Sequence, residues 1–273
     1  MAGLITSASN PLIKRIRALG HRKVRDEEGA FFVEGIRPVW LAVEAQKEIE
    51  TLVVAPGLLK SERAAAMIED RRRAGTPVAE VSDSIFERIG EREHPSGVGA
   101  IVHARLAPLE KIELGPGAFA VALLEVGNPG NLGTIIRTVD AAAGAGVILI
   151  GPSTDPFHPS AVKSSMGALF HVPIARTQTL KELADWGRSK HAQLVAASDH
   201  APAAHWDARF RFPAVVLFGS EGEGLGEQEI AACDLAVRIP MSGSADSLNL
   251  AVAVGVLVYE LKRRNILRSS GDE

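Results

Sequence analysis

The feature that most constrains this chain is a series of short, almost unbroken aliphatic runs in its second half. They read FAVALLEV (119–126), GVILIG (146–151), AQLVAAS (192–198), AVVLFGS (214–220) and LAVRIP (235–240). Such runs do not alternate polar with apolar, so each strand must be buried on both faces. Helical stretches separate them, among them 179–190 and LGEQEIAACD (225–234). Continuous apolar strands alternating with helices predict a parallel sheet covered on both sides.

The first third has a different grain. Asn10-Pro11 opens a helix as cap and first-turn proline. TLVVAP (51–56), TPVAEVS (76–82) and GVGAIVHAR (97–105) read as strands, with SERAAAMIEDRRRAG (61–75) and DSIFERIG (83–90) as helices between them. This predicts a small α/β module over 1–105. LAPLEKIELGPGAF follows, with two prolines, two glycines and no periodicity, so 106–117 is the expected linker and 118–273 the second domain.

Net charge is −3, but it is unevenly placed. Residues 1–25 carry Lys14, Arg15, Arg17, Arg22, Lys23 and Arg25 and no acid. The other 248 residues hold 24 basic and 33 acidic groups, a balance of −9. Two readings stay open: a basic helix that meets a polyanion such as RNA, or a solvated helix face. One cysteine, Cys233, leaves no internal disulfide and no cysteine-rich metal site, and fits a reducing cytoplasm. No apolar run reaches the length of a membrane span, and the N-terminus lacks the pattern of a signal peptide.

Three loops leave the predicted strand ends, where ligands of open parallel sheets bind. They are EVGNPGNLGTIIRT (125–138), LFGSEGEGL (217–225) and IPMSGSADSLN (239–249). None contains the dinucleotide or P-loop glycine pattern. After the third comes a run without charge, Leu250–Tyr259, read as a helix buried in the core. Ser247 or Asp246 is placed to cap it. Its mouth would then be either a plain cap or a ligand site built from unpaired N–H groups.

These three loops resemble, in order, the three motifs of the SpoU branch of the SPOUT methyltransferases, often called the TrmH family: NPGNLGTIIRTVDAAAGAGVILIG, VVLFGSEGEGL and IPMSGSADSLNLAVAVGVLVYE. The first third, with ITSASNPLIKRIRAL and FFVEGIRPV, more loosely resembles the substrate-binding domain often attached to that family. The resemblance implies a SPOUT-type α/β fold, its parallel sheet ending in a C-terminal deep trefoil knot, preceded by a small α/β RNA-binding domain. It implies a homodimer that needs no metal and transfers a methyl group from S-adenosylmethionine to a ribose 2′-hydroxyl. Ribosomal RNA is favoured over transfer RNA.

By position, the resemblance carries Asn131, Arg137, Glu221, Ser247 and Asn249 over as catalytic residues, and Gly219, Ile239, Met241, Ser247 and Leu248 as cofactor contacts. Lys14, Arg15, Arg17, Arg22, Lys23 and Arg25 become RNA contacts. The family's arginine is proposed as a general base. A guanidinium stays protonated, which favours Arg137 as a cation that stabilises the 2′-oxyanion. Methylation of a base nitrogen, a transfer-RNA substrate and a non-catalytic RNA-binding factor remain as alternatives.

Overall fold

The computed structural model describes residues 3–90 and 94–270. The chain divides into two compact units, residues 1–105 with 155–170, and 106–154 with 171–273.

In the first unit the elements run α1 (Pro11–Ala18), α2 (Arg22–Glu28), β1 (Ala30–Glu34), α3 (Ile36–Glu44), β2 (Ile49–Val54), α4 (Glu62–Arg73), β3 (Val78–Glu80), α5 (Asp83–Ile89) and β4 (Val98–His103). The sheet order is β1-β4-β2-β3. The central β4 runs antiparallel to both neighbours, while β2 and β3 are parallel. Asn10 caps α1 by accepting from the Leu12 N–H at 2.9 Å, with Pro11 in the first turn. Ile13, Ile16 and Leu19 of the α1 segment then pack with Ile85 and Phe86 of α5 and with Val53 and Ile101 of the sheet.

The single basic helix expected over 14–25 is two helices. Its charges do not all face solvent. Arg25 is 2% exposed. Its Nε donates to Asp155 Oδ2 at 2.7 Å, and its Nη1 donates to the Leu19 and Gly20 carbonyls at 2.8 and 2.9 Å. A side chain committed in this way cannot meet RNA, and the expectation for Arg25 is corrected. Arg15 is likewise committed. It donates to both carboxylate oxygens of Glu50 and, at 2.6 Å, to Glu28. The Glu50 and Glu28 hydrogen bonds raise its pKa, while Arg15 holds the Glu50 carboxyl below its ordinary value. Arg22 and Lys23 have looser partners in Asp26 at 3.5 Å and Glu27 at 3.8 Å.

In the second unit β5 (Phe119–Leu124), α6 (Pro129–Ala141) and β6 (Val147–Ile150) come first. The chain then contributes α7 (Pro159–Ser165) to the first unit. It returns as β7 (Ile174–Thr177), α8 (Leu180–Ser189), β8 (Gln193–Ala197), β9 (Ala203–Ala204), β10 (Ala214–Phe218), α9 (Glu227–Ala231), β11 (Leu235–Arg238) and α10 (Leu250–Ser270). All seven strands are parallel, in the order β7-β6-β5-β10-β8-β11-β9. The expected linker packs here too: Ile112 is fully buried in the sheet core and Ala107 donates to the Ile174 carbonyl at 2.8 Å.

Strand order reverses between β5 and β10, and a reversal opens a crevice at the carboxyl ends of the strands it separates. Helices α6 and α10 pack together beside it in the same direction. Asn131 meets Asn249, and further along Lys262 Nζ donates to the Ala142 carbonyl at 3.0 Å. The expectation that α10 is buried all round is corrected. Val254, Leu257, Val258 and Leu261 are buried, but Val252, Tyr259 and Ile266 are each more than half exposed. No helix among the described residues is long and apolar enough to cross a membrane.

Candidate active site

The loop after β5 turns at Glu125, whose φ of 52° lies in the left-handed region. That conformation is uncommon outside glycine and costs about 1–3 kcal/mol, so its surroundings must hold it. Beyond the turn, the N–H groups of Gly127 and Asn128 donate to the Glu221 carboxylate at 3.0 and 3.2 Å. Asn128 caps α6 by accepting from the Asn131 N–H at 3.1 Å, with Pro129 in the first turn.

Three side chains then tie the three loops together. Asn131 Nδ2 donates to Glu221 Oε1 at 3.1 Å. Asn131 Oδ1 accepts from Asn249 Nδ2 at 3.1 Å, and Asn249 Oδ1 accepts from the Ala251 N–H at 2.9 Å. The direction of this chain is fixed at one end, because a carboxylate only accepts. Asn131 must point its amide nitrogen at Glu221, which leaves its oxygen for Asn249 and in turn the Asn249 oxygen for the helix. Each asparagine uses one amide N–H and keeps a second for a ligand. Burial works to raise the Glu221 pKa, but hydrogen bonds from Gly127, Asn131 and Asn128 outweigh it and hold the carboxyl below its ordinary value.

Asn249, not Ser247 or Asp246, therefore caps α10. The cap must stand immediately before the first helical residue to reach the free N–H groups, and Asn249 does. Ser247 and Asp246 lie further out, exposed, on the wall of a cleft of about 1060 Å³. Gly219, Ile239, Met241, Leu248, Asn131, Glu221 and Asn249 line the same cleft. Gly219 has a steric reason to be glycine: a Cβ there would stand 1.9 Å from the Gly224 carbonyl oxygen. Met241 and Leu248 are 38% and 36% exposed, an apolar surface that a ligand would cover.

Arg137 is not part of this cleft. It is exposed on the third turn of α6 and has no hydrogen-bond or ion-pair partner among the described residues. Six residues advance a helix by about 9 Å and about 240°. Arg137 therefore does not line the cleft that Asn131 lines. Ser198, Asp199 and His200 do line the cleft and were missed. The signal was present: they follow a buried strand, β8, at the end where parallel sheets bind ligands.

Residues 118–259 match the SpoU rRNA Methylase family, and residues 10–100 match the MRM3-like substrate binding domain. The chain belongs to the SpoU rRNA methylase family. Among the relatives of this SpoU protein, the 23S rRNA (uridine(2479)-2′-O)-methyltransferase of Streptomyces viridochromogenes is 34% identical, across 91% of this chain and 88% of that one. The 23S rRNA (guanosine(2553)-2′-O)-methyltransferase RlmP of Bacillus subtilis is 29% identical, across 94% and 98%. The crystal structure of the AdoMet-bound rRNA methyltransferase from Sinorhizobium meliloti superposes on the SpoU chain with a TM-score of 0.86 and 38% identity, covering 96% of this chain and 98% of that one.

Proposed function

We propose that this SpoU protein methylates a ribose 2′-hydroxyl of ribosomal RNA with S-adenosylmethionine as donor. The observation that carries the reading is the chain Glu221–Asn131–Asn249, which joins all three motif loops around one cleft. The cleft fits the donor. Its walls are apolar at Ile239, Met241 and Leu248 for a purine ring, and at Gly219 the backbone is bare. When bound, S-adenosylmethionine supplies a methyl group activated by a positive sulfonium.

The chain must do the rest. A ribose hydroxyl is a weak nucleophile, so the site has to orient it and stabilise charge as its proton passes to solvent water and its oxygen takes the methyl group, with S-adenosylhomocysteine as the leaving product. The spare amide N–H groups of Asn131 and Asn249 and the Ser247 hydroxyl hold ribose oxygens. Glu221 fixes the loop that carries Asn131. Arg137 stabilises the developing 2′-oxyanion and the neighbouring phosphate with its planar fork of donors.

Arg137 does this in a homodimer. Val252, Tyr259 and Ile266 recur every seven residues on one face of α10 and leave an apolar stripe in water. Arg137 is exposed on α6, which packs beside α10. A second copy seated on the stripe brings the arginine of one chain to the cleft of the other. The same family reading carries the trefoil knot around the cleft, the assignment of residues 1–105 to RNA binding and 118–273 to catalysis, and a cytoplasmic location. The test is a map of 2′-O-methyl groups in ribosomal RNA from cells with and without the gene. One site should vanish with the gene; unchanged ribosomal RNA would overturn the substrate.

A further inference from the structure

The first unit holds a second cavity, of about 290 Å³, at the small end of ligand-sized pockets. Its walls are apolar: Ile16 and Leu19 on one side, Phe157 and Val162 on the other. Three cations rim it. Arg17, Arg88 and Lys163 come from the last turns of α1, α5 and α7. All three are exposed, and none has a hydrogen-bond or ion-pair partner among the described residues. Among the neighbouring cations, Arg15, Arg22, Lys23 and Arg25 are each paired with acids, while the exposed Lys14 lies outside the cavity. A cation near a helix C-terminus is stabilising anywhere. That rule accounts for each residue alone, but not for three separate helices bringing unpaired cations to one cavity whose wall holds, among the described residues, one acid, Glu34.

The cavity is also built in advance. The buried Arg25 holds both sides of it. It donates to the carbonyls of Leu19 and Gly20 on one wall and to Asp155, two residues before Phe157, on the other. The Phe157 ring is in turn backed by Phe31, with centroids 4.9 Å apart. A cavity with fixed walls loses little entropy when filled.

We propose that this cavity seats one unpaired nucleotide of the substrate RNA. Its phosphate meets Arg17, Arg88 and Lys163, and its base enters against Phe157, Ile16 and Leu19. Unstacked bases on aromatic side chains with a cationic rim are how proteins commonly hold single-stranded RNA. The proposal rests on the RNA reading above and adds to it the place in the first unit where RNA is gripped.

The test compares two triple variants of the full chain. One is Arg17→Gln, Arg88→Gln, Lys163→Gln. The other, a charge-matched control, is Arg72→Gln, Arg73→Gln, Arg105→Gln, which removes cations paired with acids on the same unit. Affinity for a 23S ribosomal-RNA transcript is read by fluorescence anisotropy across a salt series. Losing three phosphate contacts should flatten the slope of log affinity against log salt by about two and weaken binding about a hundredfold near 0.1 M salt. The control should keep the wild-type slope. Thermal melting checks folding, and if the triple variant melts early the three single variants are used, each flattening the slope by about 0.7. A rim variant with the wild-type slope, or equal losses in both triples, would overturn the proposal. A wild-type chain that binds no RNA would instead sink the RNA reading beneath it. Ultraviolet cross-linking of the wild-type complex should leave a nucleotide on the peptide containing Phe157; adducts confined to other peptides would overturn the seat for the base.

Discussion

At the residue scale, Glu221 is the joint on which the cleft depends. Its two oxygens accept from Gly127, Asn128 and Asn131. Glu221→Gln keeps the shape but turns one acceptor into a donor facing donors. Cofactor affinity measured by calorimetry should fall at least tenfold, since hydrogen bonds to a charged group are worth about 1.5–3 kcal/mol. The pH dependence has a definite sign. The folded pKa lies below the ordinary glutamate value. The stabilising contribution of Glu221 is therefore complete above that ordinary value and is lost as pH falls through the depressed one. Urea denaturation should show wild type and Glu221→Gln converging in stability as pH falls through that range. A gap that widened in acid would contradict the role. Gly219 gives a steric counterpart. Gly219→Ala drives a methyl group into the Gly224 backbone, which must move. Overpacking typically costs about 1–3 kcal/mol, and here it should also abolish cofactor binding; a variant that binds normally would show that the loop yields.

At the scale of elements, α10 does two jobs. Its buried side packs against α6, and its other side leaves Val252, Tyr259 and Ile266 exposed, the stripe on which the proposed second copy would sit. Tyr259→Glu places a charge in the middle of that stripe. Light scattering should find wild type near twice 28.9 kDa and the variant at the monomer mass. The variant should keep cofactor affinity to within a few fold and lose methylation, because Arg137 no longer reaches a cleft. A monomeric variant with full activity would contradict a shared site. The elements also show what could be read in advance. The parallel sheet was legible because strands buried on both faces leave unbroken aliphatic runs. The stripe was not, because Val252 and the buried Val254 look alike in an apolar run. The third loop showed that a polar group capped the helix, but choosing Asn249 over Ser247 needs the exact first helical residue. Arg25 was misread because sequence shows its charge but not Asp155, 130 residues away in the chain.

At the scale of the whole molecule, the uneven charge keeps its meaning once the paired cations are removed from it. The net charge of −3 is compatible with an RNA partner because three unpaired cations of the first unit, Arg17, Arg88 and Lys163, share one cavity. Two of these three lay outside the basic N-terminal segment, so no local count of charge could have found them. The proposed chemistry, by contrast, gathers in the second unit, where the turn at Glu125 holds a positive φ two residues before the cleft residue Gly127.

The most direct measurement is single-turnover methylation of a 23S ribosomal-RNA transcript by the purified chain with methyl-labelled S-adenosylmethionine, followed by nucleoside analysis and paired with an Arg137→Ala variant. All label should appear as one 2′-O-methylated nucleoside. Arg137→Ala should bind the cofactor as wild type does and react about a hundredfold or more slowly, as loss of a preorganised charged donor does. Arg137→Lys should rescue poorly, because it keeps the charge without the fork. Label on a base, or undiminished turnover without Arg137, would contradict the account.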